Sequence, residues 1–437
     1  MKNILSKFSF KNAILKGTLI LTISGITCRA IGFFFRVYMT HLIGSEGMGI
    51  YQLIIPFAGV VYAACIAGIC TGISRFTAES VHSSHWMIAG SVLSIPLSII
   101  CSLIFWKYAE LISIRILLNP DCVSPLRTLA LSFPFAAAHS CIGAYFLGIK
   151  KVTIPAVSQL IEQFVRIGSI ILVSLFLHQA GRPFTVSMIL FGNLIGDIAA
   201  TIYNFICFHF YKKNLESKKL HLLNQIRRMT TYSLPLTMNR VLMQLLASGE
   251  AVLIPVQLML YGHDQTAAMS LYGILAGMAL PFISFPSAIT NALSVMLLPE
   301  ISEAQSKNDI KKIASIIRQT IQLCLIMGLF FTLLFILIGS RLSVFMFNND
   351  TVGIYVSILA WICPFQYMAV TLGSILNGLG KTTSTCVVNI AGILIRILFL
   401  MLLTPRIGVS GCLYGLLCGQ IFVCAAHFLQ LRHMYQL

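Results

Sequence analysis

Twelve apolar stretches, each long enough to cross a lipid bilayer, constrain this chain more than any other feature. A helix needs about 20 mainly apolar residues to span the hydrocarbon core, and apart from closed barrels only helices satisfy the backbone there. Charged residues make up only 10% of the 437 residues, against about 25% in soluble domains. The sequence therefore predicts an all-α polytopic membrane protein with spans at 17–41, 51–73, 86–106, 126–147, 152–177, 184–210, 230–259, 270–294, 318–338, 352–375, 383–404 and 408–430.

The positive charges support this topology. With both termini in the cytoplasm, nineteen Lys and Arg residues fall in cytoplasmic segments, six fall outside, and five lie within spans, which accounts for all 30. Such a bias is the positive-inside pattern. The net charge of +17 is therefore read as a topology signal, not as a nucleic-acid site. We expect a multi-pass protein of the cell (plasma) membrane that contacts anionic membrane lipids and is a monomer.

The two halves of the chain resemble each other. The segments 148–167 and 378–397 align at a constant offset of 230, which pairs Gly148 with Gly378 and Arg166 with Arg396. Six helices per half give both halves the same orientation, with a pseudo-two-fold axis along the membrane normal. The sequence thus predicts two six-helix bundles, with an N-terminal bundle at 1–210, a basic cytoplasmic linker at 211–229 and a C-terminal bundle at 230–437.

Eight ionisable residues lie inside the predicted spans. A charge at the bilayer centre costs about 2.5–3.5 kcal/mol on insertion scales, so such residues usually face a protein interior or an aqueous cavity. The acids are expected to act as coupling groups or as ion-pair partners. The set comprises five arginines and three acids: Arg29, Arg36, Arg166, Arg240, Arg396, Glu162, Asp197 and Glu250.

Several of these residues also have a purely structural interpretation. Glu162 and Arg166 are four residues apart, so they can form an ion pair on one helix face. Asp197 lies among small residues and can bind a neighbouring helix, and Glu250 can pair with any of the arginines. Arg36 and Arg240 can extend toward the nearest interface instead of binding a ligand.

Arg29 is the hardest of the arginines to explain structurally. It lies near the middle of its helix and has no acid within one turn. Arg36 follows seven residues later, about 10 Å along the same face. Five positive and three negative side chains leave a basic interior. Because guanidinium groups suit phosphate, we expect the five arginines to bind an anionic headgroup in a central cavity.

The chain also resembles a known family. The segments 17–57, 68–79, 159–167 and 272–304 are similar to the stage V sporulation protein B-like and polysaccharide-exporter branch of the multidrug/oligosaccharidyl-lipid/polysaccharide (MOP) superfamily. That superfamily also contains the lipid II flippases and the MATE drug exporters. The resemblance covers about 16–430. The sporulation and lipid II branches usually have fourteen helices, whereas twelve are predicted here.

This resemblance implies alternating access between two lobes. It implies that a polyprenyl-pyrophosphate-linked oligosaccharide or peptidoglycan precursor moves from the inner to the outer leaflet, for spore cortex, cell-wall or polysaccharide synthesis. The alternative is a cation-coupled multidrug exporter of the MATE type, which twelve helices also fit. The first helix holds no acid for a cationic substrate, however, and the interior is net basic.

Catalysis and metal binding are not expected. The predicted outer loops are short, and the histidines are scattered without metal-ligand spacing, so a membrane enzyme is disfavoured. The thirteen cysteines lie singly within apolar spans and predict core packing. No cofactor and no metal site are predicted, although Na⁺ or H⁺ coupling is left open.

Overall fold

The computed structural model describes residues 2–79, 84–212 and 222–435, and all regular elements in these ranges are helical. Ten of the helices are long and apolar enough to cross a membrane, and a bent pair raises the number to eleven. The longest, Thr22–Glu79, is divided by a non-helical residue at Gly44. The described residues therefore contain twelve transmembrane helices, as the sequence predicted.

We number these helices in chain order. Their bounds are helix 1 (22–43), helix 2 (45–79), helix 3 (His85–Lys107), helix 4 (Pro120–Ala130 and Phe133–Gly148), helix 5 (Thr153–Gln179), helix 6 (Val186–Lys212), helix 7 (Leu222–Tyr261), helix 8 (Gln265–Ser284 and Ser287–Ser306), helix 9 (Ile310–Phe347), helix 10 (Asp350–Gly378), helix 11 (Thr382–Ile407) and helix 12 (Val409–Tyr435). Helical backbone already begins at Lys2.

A glycine ends helix 1. Gly44 has φ 69° and ψ −175°, a conformation that only glycine adopts readily. The backbone is helical on both sides, so this one residue separates two spans that would otherwise be continuous. In helix 4, by contrast, the two segments are bent by 43°, and Pro134 lies in the first turn of the second segment, where a missing N–H is tolerated.

The chain forms two compact units. The first contains 1–35 and 53–245, and the second contains 36–52 and 246–437. The end of helix 1 and the start of helix 2 thus belong to the second unit, and the first part of helix 7 belongs to the first. The domain boundaries expected from the sequence remain a prediction, and 213–221 of the predicted linker lie outside the described residues.

Equivalent contacts recur in both units at the offset of 230. Ser102 donates a hydrogen bond to the Ala130 carbonyl at 2.6 Å, and Thr332 donates to the Ala360 carbonyl at 3.0 Å. The first bond joins helix 3 to helix 4, and the second joins helix 9 to helix 10. These matched buried contacts support the repeat that the sequence predicted.

The turns that precede helices 4 and 10 also match. The Asn119 side chain caps the turn that begins helix 4 by accepting from the Asp121 N–H at 2.9 Å. Asn349 caps helix 10 in the same way, by accepting from the Thr351 N–H at 3.0 Å. An asparagine at this position satisfies an N–H that the helix itself leaves free, so the same local signal starts both helices.

Helix packing in the second unit is closest where two backbones meet. A Cβ atom at Gly273 in helix 8 would collide with backbone atoms of Ser45 and Gly49 in helix 2. Small residues allow transmembrane backbones to approach in this way. The crossing of helices 2 and 8 in this unit therefore depends on glycine.

Candidate functional site

A cavity of about 760 Å³ lies within the first unit. Helices 2, 4, 5, 6 and 7 line it, so five separate segments of the sequence contribute to one site. Its volume falls in the range of about 300–1,000 Å³ that is typical of ligand pockets. Of the predicted site residues, Arg240 and Glu162 line this cavity.

Arg240 is held against helix 2. Its Nη1 donates to the Ala67 carbonyl at 2.9 Å, and its Nη2 donates to the Thr71 hydroxyl at 3.3 Å. Ala67 closes a π-helical turn, Ala63–Ala67, a feature often found at functional sites. The Thr71 hydroxyl itself donates to the Ala67 carbonyl at 2.9 Å. These bonds fix the guanidinium in the cavity without neutralising its charge.

Glu162 and Arg166 form the ion pair that their spacing allowed. Arg166 Nη2 contacts Glu162 Oε1, and Arg166 Nη1 lies 3.3 Å from Gln163 Oε1. Both charged side chains are largely buried, with 21% exposure for Glu162 and 23% for Arg166. The structure thus contains this ion pair, and the expected role of Glu162 as a coupling group or ion-pair partner stays a prediction. Whether Arg166 also binds substrate remains a prediction.

The buried Asp197 lies next to a histidine. His139 Nε2 is 3.9 Å from Asp197 Oδ1, and Asp197 is only 5% exposed. Donor atoms of His139, Glu162 and Asp197 all lie within 4.8 Å of one another. The sequence predicted no metal site because these residues come from helices 4, 5 and 6 and have no short spacing.

The donor set of this cluster, one imidazole and two carboxylates, is chemically able to hold a cation. The guanidinium of Arg166, however, already contacts Glu162. The positive charge of Arg166 would repel a doubly charged ion bound between these three side chains. The arrangement is better suited to a proton or a monovalent cation than to a divalent metal.

The second unit contains a different buried pair. Arg396 Nη2 lies 2.8 Å from Glu250 Oε2, with side-chain exposures of 25% and 14%. This pair joins helix 11 to helix 7, whereas the equivalent Arg166 takes its acid from its own helix. Arg396 also packs against Gly415 and Gly419 of helix 12. Glu250 thus pairs with an arginine in the structure, and its expected role as a coupling group or ion-pair partner stays a prediction.

The two arginines of helix 1 have no acidic partner in the described residues. Arg29 is exposed and belongs to the first unit, whereas Arg36 belongs to the second. Arg36 Nη1 is buried and has no hydrogen-bond partner in the part of the chain that the structure describes. Their predicted role in binding a headgroup remains a prediction.

Sequence reasoning missed several neutral polar residues of the cavity. Thr71, Gln159 and Asn204 all line it. They are neutral, so a search for intramembrane charges does not find them. A signal was nevertheless present for Asn204, because an amide inside a transmembrane helix requires a polar partner.

Comparisons with known proteins agree with this architecture. The profile of the family described as "Polysaccharide biosynthesis protein" matches residues 14–260, and the MatE profile matches 241–402. Stage V sporulation protein B of Bacillus subtilis (strain 168) is 26% identical over 432 residues, covering 95% of this chain and 83% of that protein. Lipid II flippase MurJ of the same organism is 20% identical over 450 residues, covering 93% and 80%.

A solved structure shares the fold. The structure described as "Inward-facing conformation of a multidrug resistance MATE family transporter of the MOP superfamily" matches with a TM-score of 0.72 and 13% identity. The match covers 94% of each chain. At this identity the likeness extends to the fold alone.

Proposed function

The chain belongs to the polysaccharide biosynthesis protein family, and on this basis we propose that it moves a lipid-linked, anionic saccharide across the membrane. The family and its relatives confirm the resemblance to the MOP superfamily of flippases. Family and fold are those of a multi-pass membrane transporter. The substrate, its direction of movement and the residues that bind it belong to the proposal.

The observation that carries the proposal is a surplus of unpaired arginines. Arg166 and Arg396 have carboxylate partners. Arg29, Arg36 and Arg240 have none among the described residues. An uncompensated guanidinium within a membrane is costly. An anionic ligand would recover that cost, because phosphate oxygens match the fork of N–H donors.

A pyrophosphate-linked sugar has the required chemistry. Its two phosphates supply oxygens for the arginines, and its lipid chain keeps it at the membrane. Relatives of this chain bear the names lipid II flippase and stage V sporulation protein B. We therefore propose a peptidoglycan or polysaccharide precursor as the substrate and cell-wall, spore-cortex or polysaccharide synthesis as the pathway.

The proposed direction of transport is the one that the family resemblance implies, and the charge bias supplies the orientation of the chain in the membrane. Nineteen of the Lys and Arg residues fall in predicted cytoplasmic segments and six outside, which favours cytoplasmic termini in the cell membrane. On this topology the substrate enters from the inner leaflet and leaves at the outer leaflet by alternating access. The protein acts as a monomer, and its basic loops contact anionic lipids.

The test is translocation of a fluorescent lipid-linked disaccharide-pentapeptide in proteoliposomes. We expect Arg29→Ala to lower the initial rate about tenfold or more, since a charge-assisted bond contributes about 1.5–3 kcal/mol. Arg29→Lys should recover only part of the rate, because lysine keeps the charge but not the fork. Arg182→Ala, which changes an exposed arginine outside the helices, is the matched control. Wild-type rates in Arg29→Ala would contradict the headgroup role.

One observation favours a second candidate function, a cation-coupled exporter of the MATE type. The donor atoms of His139, Glu162 and Asp197 converge in the first unit, and a proton or Na⁺ held there could drive export. Efflux of a cationic dye from vesicles along a Na⁺ or H⁺ gradient would support this function if Asp197→Asn or Glu250→Gln abolished it. The same cluster could instead supply the coupling ion for a flippase.

A further inference from the structure

The cavity of the first unit contains a buried polar atom without a partner. Asn204 on helix 6 lines this cavity and is only 1% exposed. Its Nδ2 donates to the His139 carbonyl at 3.0 Å, and this bond fixes the orientation of the amide, since the flipped amide would place two oxygens together. Its Oδ1 has no hydrogen-bond partner in the described part of the chain.

A buried acceptor without a partner is unfavourable and needs an explanation. A ligand that donates an N–H or O–H to Asn204 Oδ1 would satisfy it. The amide cannot bind an anion through this atom, because a carbonyl oxygen only accepts. The cavity therefore favours a ligand that carries a hydroxyl or amide hydrogen near Asn204.

Arg240 requires a ligand group that accepts hydrogen bonds, whereas Asn204 requires one that donates. A guanidinium has five N–H donors, and Arg240 uses two of its groups to hold Ala67 and Thr71. Donors remain, and the charge has no acidic partner among the described residues. Glu162 lines the same cavity, but Arg166 neutralises it. The unpaired charge in this cavity is thus positive.

We propose that this cavity binds a phosphorylated saccharide, with the phosphate at Arg240 and a sugar hydroxyl or N-acetyl N–H at Asn204. The inference rests on the proposed function, since it assigns part of the saccharide headgroup to the interior of one unit. Arg240 selects an anion, and Asn204 selects a donor. Gln159, which also lines the cavity, offers an amide to further sugar hydroxyls.

The protein contains a suitable reporter for this site. Trp86 stacks on Phe76 with ring centroids 4.5 Å apart, and Phe76 follows Arg75, a residue of the cavity wall. The chain has three tryptophans. Replacing Trp106 and Trp361 by phenylalanine leaves Trp86 as the single fluorophore for titration of the purified full-length protein.

The experiment titrates this protein with N-acetylglucosamine 1-phosphate. N-acetylglucosamine and inorganic phosphate are the comparison ligands. We expect saturable fluorescence change with the sugar phosphate and binding about 10- to 100-fold weaker in Arg240→Gln, as for loss of a charged hydrogen bond. Arg182→Gln should bind as wild type does. Equal affinity for inorganic phosphate, or no saturation by the sugar phosphate, would overturn the proposal.

A larger side chain in the cavity wall tests the site without changing any of its polar contacts. A Cβ atom at Gly143 in the cavity wall would meet only Pro155 Cβ at 3.8 Å, so a larger side chain can be placed there without a collision at its Cβ. Gly143→Leu extends into the cavity and should abolish binding while the protein remains folded. Full binding by a folded Gly143→Leu variant would show that the ligand lies elsewhere.

Two further measurements identify the source of the ligand and test the cavity site and the proposed function independently of each other. Competition by the lipid-linked disaccharide in nanodiscs would identify the headgroup of the transported lipid as the ligand, whereas sugar phosphate binding without competition would identify a soluble phosphorylated saccharide. If wild type and Gly143→Leu flipped the lipid-linked disaccharide at the same rate, the cavity site would be refuted and the proposed function would stand. Binding of the sugar phosphate without any flipping would refute the proposed function alone.

Discussion

Breaking the ion pair between Glu250 and Arg396 should strongly destabilise the second unit, because it leaves one buried charge without its partner. We consider the variant Glu250→Leu, which removes the acid and leaves the guanidinium buried. The two atoms lie 2.8 Å apart, and the side chains are 14% and 25% exposed. Removing one member of a buried pair typically destabilises a protein by about 3–5 kcal/mol, since the remaining charge is uncompensated.

The magnitude can be followed by thermal unfolding of the purified protein in detergent. For a cooperative unit of about 200 residues, 1 kcal/mol corresponds to about 2–4 °C in Tm. The variant should therefore lose about 6–20 °C, on the same scale. Glu303→Gln disrupts the exposed Lys307–Glu303 pair of 2.6 Å and should leave the Tm unchanged, because solvent screens such pairs.

A double-mutant cycle tests the cause. Arg396→Met in the Glu250→Leu background removes the orphaned charge and keeps an apolar side chain against helix 12, so much of the lost stability should return. A double variant no more stable than Glu250→Leu alone would refute the reasoning. The loss would then come from packing around residue 250 and not from an unpaired guanidinium.

Two further predictions concern glycines. Gly44→Ala should lower the free energy of unfolding by about 1–3 kcal/mol, because φ 69° and ψ −175° are strained for a residue with a Cβ. Gly25→Ala, with nothing within 4 Å of its Cβ, is the control. Equal melting temperatures for the two variants would contradict the prediction. Gly273→Ala should destabilise the second unit, since its Cβ would collide with the backbone of 45–49; an unchanged melting curve would show that helices 2 and 8 can separate without loss.

Some of the site follows from local sequence patterns. The pairing of Glu162 with Arg166 was predictable, because a spacing of four residues places both side chains on one helix face. The cap at Asn349 is equally local. The partner of Arg396 was not predictable, since Glu250 lies 146 residues away on a helix whose rotation the sequence does not specify.

The neutral residues of the cavity show the same limit. Asn204 has no distinguishing neighbours in the sequence, and its unpaired oxygen becomes visible only when helices 4 and 6 are packed together. The approach of His139 to Asp197 likewise joins two helices without any short spacing. Such contacts depend on the depth and rotation of each helix.

The sequence by itself determined that this chain crosses the membrane about twelve times and that its interior is basic. Both follow from composition, because the bilayer demands apolar length and satisfied backbone groups in every span. Only the tertiary structure decided which charges neutralise each other and which have no acidic partner among the described residues, as at Arg29, Arg36 and Arg240. The physical reason is that ion pairs act over a few ångströms, and those distances are set by packing between helices far apart in the chain.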